Sequence, residues 1–307
     1  MTARLTVLGG YLGAGKTTLL NGLLAAGGGS RIAVVVNDFG AVNIDQKLIV
    51  SATEDTVELA NGCICCSLQD DTSAVMTRLA ERGDLDHVVV ETSGVGDPAA
   101  LRTWGEYPGF TPGGTVVCVD STSAAQLLRD EFVGDTAVRQ LTRADVLVLT
   151  KADRAGPERF ADARRQCLGH IAADAQVLES TGGDVHLADL LRSTGSSKPV
   201  AAEPDAHSSV HRSASVTGAG LVDRSALLDV LDSVPPSVVR IKGLVRCADD
   251  PEVRTVVQYS AGQVSVTADG GWQDADSSEL VVIVAGHDTA DTDLRAVTDR
   301  LTAIVNG

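Results

Sequence analysis

The segment GYLGAGKT at residues 10–17 constrains this chain more than any other feature. It fits the phosphate-binding pattern G-x-x-x-x-G-K-[ST], and it lies between an apolar stretch at residues 4–8 and a stretch with leucines at helical spacing. The glycines let backbone N–H groups surround phosphate oxygens, and the start of the following helix adds partial positive charge. The segment predicts a strand, loop and helix that bind a nucleotide. The alternative is a glycine-rich turn that binds nothing.

Most residues of this loop have an expected role in binding the nucleotide. Lys16 is expected to reach the β- and γ-phosphates and to be catalytic, and Thr17 is expected to offer its hydroxyl to a phosphate-bound Mg²⁺. The other loop residues predicted to bind the nucleotide are Gly10, Gly13, Ala14, Gly15 and Thr18.

Length and composition limit the class of protein. The 307 residues are 44% apolar, enough for one large or two ordinary domains with real cores. A formal net charge of -16 argues against a nucleic-acid partner, which requires a basic surface. No apolar run is long enough to span a bilayer, and residues 1–8 are predicted to form a core strand rather than a signal peptide. We therefore expect a soluble protein with no membrane partner.

Alternating apolar runs and helical patterns predict an α/β domain with a mostly parallel sheet, typical of P-loop NTPases, over residues 1–193. After the first strand, the Val-rich runs predict strands at residues 32–36, 87–90, 115–119, 146–149 and 176–178. Helical spacing predicts helices at residues 68–82, 121–129, 157–172 and 185–192.

A different pattern begins after residues 194–209, which lack large apolar residues almost entirely and are predicted to be a linker. Residues 210–307 are predicted to form a smaller α+β domain. Its predicted strands are residues 210–216, 238–247, 253–259, 263–268 and 279–284, and its predicted helices are residues 223–231 and 289–305.

The segment LTKAD at residues 149–153 predicts the base of the nucleotide. The Asp153 carboxylate can accept hydrogen bonds from the N1–H and the exocyclic amine of guanine, a donor pair that adenine lacks. The stem of Lys151 can cover the base, and Thr150 stands where Asn is commoner. The segment favours GTP. The alternative is a solvated Lys and Asp at a strand end.

Two further strand ends carry acids. Glu91 ends a Val-rich run and is predicted to hold a water or Mg²⁺ beside the γ-phosphate, while Gly94 lets the backbone approach that phosphate. Asp38, in NDFG at residues 37–40, is the candidate switch residue that orders water or metal. We predict that Glu91 and Asp38 are catalytic. The alternative for both is helix capping or a turn hydrogen bond.

Three thiols lie within four residues, at Cys63, Cys65 and Cys66, too close together for a disulfide framework. This usage predicts a reducing compartment, the cytoplasm. Thiolates select soft metals such as Zn²⁺, and three sulfurs are one ligand short of a closed zinc site, so we predict an exchangeable metal site. The alternatives are a buried cluster of small apolar cysteines and a redox pair. The remaining cysteines, Cys118, Cys167 and Cys247, are predicted to be structural.

In combination, these motifs resemble the CobW-like metal-homeostasis GTPases, a family that includes nitrile hydratase activators and zinc chaperones. The resemblance is carried by GGYLGAGKTTLLN (9–21), NDFG and NID (within 37–45), NGCICC (61–66), ETSGVGDP (91–98), LTKAD (149–153) and VRIKG (239–243). It implies an N-terminal GTPase domain of the P-loop class that includes nickel-insertion GTPases. It also implies a C-terminal domain that meets client proteins.

The chain departs from the family at two places. Many members carry NEFGE where this chain has Asp38 and Ala41, so a carboxylate ligand at position 41 is absent. Many also have a histidine-rich loop between the domains. Here only His207 and His211 remain, and we expect them to be solvated rather than to bind metal.

The sequence therefore predicts a GTP-hydrolysing metallochaperone. Hydrolysis is expected to be slow because no Gln or Arg stands out as a water-positioning residue or arginine finger. The cargo is predicted to be Zn²⁺, or else Co²⁺, Ni²⁺ or Fe²⁺, delivered to a client metalloprotein or metal-dependent enzyme by a monomer or weak homodimer. One rival is a non-catalytic metal-sensing regulator that binds GTP. The other is a P-loop small-molecule kinase, which would prefer adenine.

Overall fold

A computed structural model describes residues 2–25, 30–36, 56–58, 69–182, 184, 190, 210–260, 262–272, 277–286 and 289–307. These residues form two compact units, each built on its own sheet. Several predictions lie outside the described residues, namely those for Asp38, Cys63, Cys65, Cys66, His207, the linker at 194–209 and, apart from residue 190, the helix at 185–192. The domain boundaries remain predictions.

The first unit contains a seven-stranded sheet in the order β3-β2-β4-β1-β5-β6-β7, and every pairing between these strands is parallel. Its strands are β1 (Ala3–Gly9), β2 (Ile32–Val36), β3 (Thr56–Glu58), β4 (His87–Glu91), β5 (Phe110–Asp120), β6 (Val146–Thr150) and β7 (Gln176–Glu179). The predicted parallel α/β sheet is confirmed. Because β1 is the central strand, the loop after it lies between the ends of β4 and β5.

Seven described helices connect these strands: α1 (Lys16–Ala25), α2 (Gln69–Glu81), α3 (Ala99–Arg102), α4 (Ala124–Leu127), α5 (Gly134–Thr142), α6 (Ala152–Ala155) and α7 (Pro157–Leu168). A 3-10 turn at Thr103–Glu106 follows α3. The helices predicted at 121–129 and 157–172 are shorter than expected, and α5 was not predicted. The buried residues of α5 include the apolar pair Ala137 and Leu141, four residues apart, but also the polar residues Thr136 and Gln140.

The strands of this sheet are apolar throughout because both faces are covered. In β4, Val88 and Val90 pack in one core cluster and Val89 packs in another on the opposite face. The first cluster includes Met76 and Leu79 of α2, and the second includes Leu19 and Leu20 of α1. This arrangement explains the continuous Val-rich runs.

The second unit contains a five-stranded sheet in the order β11-β10-β9-β12-β8, with every pairing antiparallel. Its strands are β8 (His211–Gly218), β9 (Val238–Arg246), β10 (Val253–Ser260), β11 (Gln263–Gly271) and β12 (Ser278–Ala285). Its helices, α8 (Arg224–Asp232) and α9 (Ala290–Asn306), share one core cluster with the sheet. The predicted α+β fold is confirmed. Among the described residues, no helix is both long enough and apolar enough to cross a bilayer.

Candidate nucleotide site

The phosphate loop joins β1 to α1 at the centre of the first sheet. Gly10 has a φ of +135°, and a Cβ atom there would lie 2.5 Å from the backbone oxygen of Cys118 on β5. Both the backbone conformation and the close approach of β5 therefore require glycine. Gly13 and Gly15 also have positive φ values, 78° and 89°. Such a turn exposes successive N–H groups to an anion, so the loop fits a nucleotide phosphate.

Lys16 and Glu91, two of the predicted catalytic residues, lie side by side. Lys16 opens α1 and Glu91 ends β4, the strand paired with β1. The Lys16 Nζ atom lies 3.7 Å from Glu91 Oε1 and donates a hydrogen bond to the Gly10 carbonyl oxygen at 2.9 Å. Their side chains are only 5% and 3% exposed. The ammonium group is thus held over the phosphate loop by a buried carboxylate.

The oxygen donors of this site suit magnesium. Thr17 is half-buried in the first turn of α1, and Glu91 ends the adjacent strand. Mg²⁺ binds through a few carboxylate or hydroxyl oxygens together with substrate phosphates. Thr18, the next residue, is exposed. The assignments of Thr17 to Mg²⁺ and of Thr18 to the nucleotide remain predictions.

The loop after β4 packs directly on the phosphate loop. A Cβ atom at Gly94 would lie 2.4 Å from Leu12 Cδ2 and 3.0 Å from the Leu12 backbone nitrogen, so only glycine allows this approach. The carbonyl oxygen of Gly94 accepts a hydrogen bond from Gln140 of α5. The sequence singled out Gly94 but not Gln140.

Thr150, predicted to bind GTP, lies beneath the phosphate loop. Its side chain is 5% exposed, and its Oγ1 atom donates to the Ala14 carbonyl oxygen at 2.8 Å, with the Val119 carbonyl oxygen at 3.2 Å. The hydroxyl therefore ties the end of β6 to the phosphate loop. A direct contact between Thr150 and the nucleotide remains a prediction.

The LTKAD segment at residues 149–153, which is predicted to bind the base, has an unusual backbone conformation at Lys151. Lys151 has a φ of 54°, the only positive value for a non-glycine residue among those described. Its Nζ atom lies 2.6 Å from Asp120 Oδ2 at the end of β5, while Asp120 Oδ1 accepts from the backbone nitrogen and the hydroxyl of Thr122. A left-handed residue of this kind costs about 1–3 kcal/mol and is typical of functional sites. The sequence missed Asp120, although it ends a Val-rich strand just as Glu91 does.

Asp153 lies two residues after Lys151, in the first turn of α6. Its side chain is 44% exposed, and its nearest described cation is Arg154 Nε at 4.0 Å. A carboxylate this open to solvent is accessible to a guanine base. Guanine recognition by Asp153 remains a prediction.

The described residues hold no group of three or more His, Cys, Asp or Glu side chains arranged for a metal. The expectation for His211 was wrong, since it opens β8 and is 4% exposed rather than solvated. Cys118, Cys167 and Cys247 are buried and form no disulfide, as expected of structural cysteines. Burial raises the pKa of both the Cys118 and Cys167 thiols to about 12.

Two known domain families match this chain. Residues 4–179 match the family model described as CobW/HypB/UreG, nucleotide-binding domain. The chain belongs to this family. Residues 211–302 match the cobalamin synthesis protein CobW C-terminal domain. The predicted resemblance is confirmed, and with it the prediction of a nucleotide-binding GTPase.

Named relatives include zinc chaperones. The chain is 29% identical to the zinc chaperone CobW of a Sinorhizobium species, over 98% of this chain and 96% of that protein. It is 33% identical to the zinc chaperone YjiA of Escherichia coli, over 62% of this chain and 61% of that protein. Among solved structures, Zn(II)-bound YjiA GTPase from E. coli aligns over 99% of both chains, with a TM-score of 0.45 and 22% identity.

Proposed function

We propose that this protein is a GTP-hydrolysing metallochaperone, which binds a transition metal through Cys63, Cys65 and Cys66 and delivers it to a client protein. The observation that carries the proposal is the buried contact of Lys16 with Glu91 across the phosphate loop, 3.7 Å apart. This contact supports the proposal because a cation suited to phosphate and a carboxylate suited to metal or water lie together where β1 and β4 end.

The nucleotide chemistry follows from these side chains. Lys16 is positioned to neutralise β- and γ-phosphate oxygens once they replace the Gly10 carbonyl oxygen as its partner. Thr17 and Glu91 would hold Mg²⁺ between them, directly or through water. When bound, Mg²⁺ neutralises the charge that develops on the phosphate oxygens. Gly94, packed on Leu12, brings backbone toward the terminal phosphate.

Guanine is the base that this site favours. The Asp120 carboxylate holds the ammonium group of Lys151 and, through Thr122, the turn that follows β5. This double anchor fixes the left-handed turn from which α6 presents Asp153. Asp153 would accept from the two donors on the edge of guanine, a pattern that adenine does not offer.

The thiols are proposed as the site of the cargo metal. They occur in the chain between the switch segment at 37–40 and Glu91 of β4, the two segments expected to respond to the γ-phosphate. The named relatives are zinc chaperones, which makes Zn²⁺ the first metal to test. Co²⁺, Ni²⁺ and Fe²⁺ are the alternatives, because thiolate ligands accept several divalent metals.

Coupling between metal and nucleotide tests this proposal. Anaerobic Co²⁺ titration, followed by thiolate-to-metal charge-transfer absorption, should give a higher affinity with bound GTP analogue and Mg²⁺ than with GDP. Allosteric couplings are typically on the order of 1–3 kcal/mol, and the same factor must then appear in GTP affinity when metal is present. Cys65→Ser and Cys66→Ser are the controls. Equal metal affinity in both nucleotide states, or an unchanged signal in both variants, would contradict the proposal.

Delivery requires a separate measurement, because a metal-sensing regulator would also bind GTP and metal. The Zn²⁺-loaded protein is purified anaerobically with GTP analogue, and co-purifying proteins are identified. Zinc transfer to the apo form of such a client is then followed with GTP and with the analogue. A chaperone transfers zinc faster when GTP is hydrolysed. Retention of zinc under both conditions would favour the regulator. A separate binding competition in which the wild type prefers ATP to GTP would favour the kinase.

The same preparation tests the remaining proposals. We propose a monomer or weak homodimer in the cytoplasm, with no nucleic-acid partner, and light scattering after size-exclusion chromatography measures the oligomeric state. A stable higher oligomer, or co-purified nucleic acid, would contradict these assignments.

A further inference from the structure

Helix α5, which the sequence did not predict, makes hydrogen bonds to the loop that follows β4. Gln140 is 1% exposed, and its Nε2 atom donates to the carbonyl oxygens of Gly94 at 3.2 Å and Gly96 at 2.8 Å. Because both partners are acceptors, the amide nitrogen must face them. Both hydrogen bonds of this nitrogen therefore act on the loop.

Arg143, three residues after Gln140, makes a further contact with the same loop. Its Nη2 atom lies 3.5 Å from Asp97 Oδ2, and Asp97 Oδ1 accepts from the backbone nitrogen of Ala99 at the start of α3. Residues three apart lie on the same side of a helix, so Gln140 and Arg143 act on the loop together. The loop at 94–99 is thus held at three points.

The loop at 94–99 also contacts the phosphate loop. Gly94 approaches Leu12 so closely that a Cβ atom would overlap it, at 2.4 Å from Leu12 Cδ2. In a planar trans peptide the N–H points away from the C=O. By fixing the carbonyl groups of Gly94 and Gly96, Gln140 therefore also fixes the direction of the N–H groups of Val95 and Asp97. Those donors belong to the segment expected to meet the γ-phosphate.

The side-chain oxygen of Gln140, Oε1, is in an unusual environment. Among the described residues, Gln140 Oε1 is buried without a hydrogen-bond partner. Leaving a buried acceptor unpaired costs free energy, and an apolar side chain of similar size would avoid that cost. Packing alone therefore does not explain a glutamine at this position, whereas its two hydrogen bonds to the loop do.

We infer that Gln140 is a positioning residue that sets the discrimination between GTP and GDP. The inference rests on the GTPase function proposed above. Only GTP carries the γ-phosphate that the loop at 94–97 would meet, so a less ordered loop weakens GTP binding and leaves GDP binding unchanged. Base choice belongs to the segment after β6, and the preference for GTP over ATP remains as in the wild type.

The test compares the full-length variants Gln140→Ala and Gln140→Met, the second of which retains the side-chain volume. Affinities for a fluorescent non-hydrolysable GTP analogue and for fluorescent GDP are measured with Mg²⁺. The ratio of GTP-analogue to GDP affinity should fall about tenfold, equivalent to roughly 1.4 kcal/mol. Leu141→Val is the matched control. Leu141 is the next residue of α5 and is also 1% exposed, but it belongs to a core cluster with Val117 and Leu147. The control substitution should leave the ratio unchanged.

An unchanged ratio in a folded Gln140 variant would overturn the inference, as would an equal fall in Leu141→Val. If neither Gln140 variant folds, the inference is tested by amide hydrogen exchange of the wild-type protein. Protection of residues 94–97 should differ between the GTP-analogue and GDP states, and equal protection would overturn the inference. A wild-type protein that fails to bind GTP contradicts the proposed function itself, so the two failures are distinguishable.

Discussion

Removing the charge of Lys16 should destabilise the protein as well as stop catalysis. Lys16 and Glu91 lie 3.7 Å apart with side chains 5% and 3% exposed. At an effective dielectric constant of about 20, two unit charges at this distance attract by about 4.5 kcal/mol. Breaking a buried pair by removing one partner costs about 3–5 kcal/mol, because the other charge is left buried without compensation. We therefore expect Lys16→Met, which keeps most of the side-chain volume, to lower the free energy of unfolding by about 3 kcal/mol.

A double-mutant cycle isolates this effect. Lys16→Met, Glu91→Gln and the double variant are unfolded in urea without nucleotide, in a Trp272→Phe background in which Trp104 of the first unit is the only tryptophan. The double variant should lose less stability than the two single variants together, by about 2–3 kcal/mol.

The exposed pair of Arg224 with Asp249, in the second unit, is the control, and it is measured in a Trp104→Phe background in which Trp272 is the only tryptophan. Its atoms are closer, at 2.7 Å, but its side chains are 34% and 54% exposed. Its coupling should stay within about 1 kcal/mol because water screens the charges. Additivity within about 0.5 kcal/mol at Lys16 and Glu91 would refute the buried-pair reasoning. Unchanged GTP turnover in Lys16→Met would refute the phosphate-loop assignment.

Three further predictions concern the nucleotide site and two buried cysteines. Asp153→Asn should weaken GTP binding by about tenfold or more and favour xanthosine triphosphate, because an amide can donate to the xanthine oxygen that a carboxylate repels; competition binding measures this, and unchanged GTP affinity would contradict it. Gly94→Ala should lower GTP turnover about hundredfold, because its Cβ would displace Leu12 of the phosphate loop; steady-state hydrolysis tests it, and wild-type turnover would contradict the close approach. Cys118 and Cys167, with pKa values raised by burial to about 12, stay protonated at pH 8 and should resist iodoacetamide in the native protein; mass spectrometry after brief labelling checks this, and rapid modification would show that they are accessible.

Local chemistry made much of the fold predictable from sequence. The strand, loop and helix around residues 10–17 depend on contacts between near neighbours in the chain, and β1 and α1 lie where the sequence placed them. The same holds for α8, whose side-chain cap is Asp223, the residue at which the predicted helix began. Val-rich runs located the strands because a sheet covered on both faces requires apolar residues at every position.

Strand ends were less predictable than strand centres. β5 runs over Phe110–Asp120, whereas the sequence predicted residues 115–119. The segment TPGG at residues 111–114 is typical of a turn, yet parallel pairing with β1 continues through it with one shift in register. Pairing with a neighbouring strand here outweighed local propensity.

The sequence by itself determined the phosphate loop, the α/β and α+β domain types, and the acidic and glycine residues that end the strands. Only the tertiary structure decided which side chains support them. Gln140 contacts carbonyl groups 44 and 46 residues away in the chain, and Lys151 pairs with Asp120 across 31 residues. Hydrophobic periodicity predicts that polar residues such as Gln140 face solvent. A buried polar side chain is stable only where packing brings a partner to it, and that partner lies too far along the chain for any local pattern to reveal.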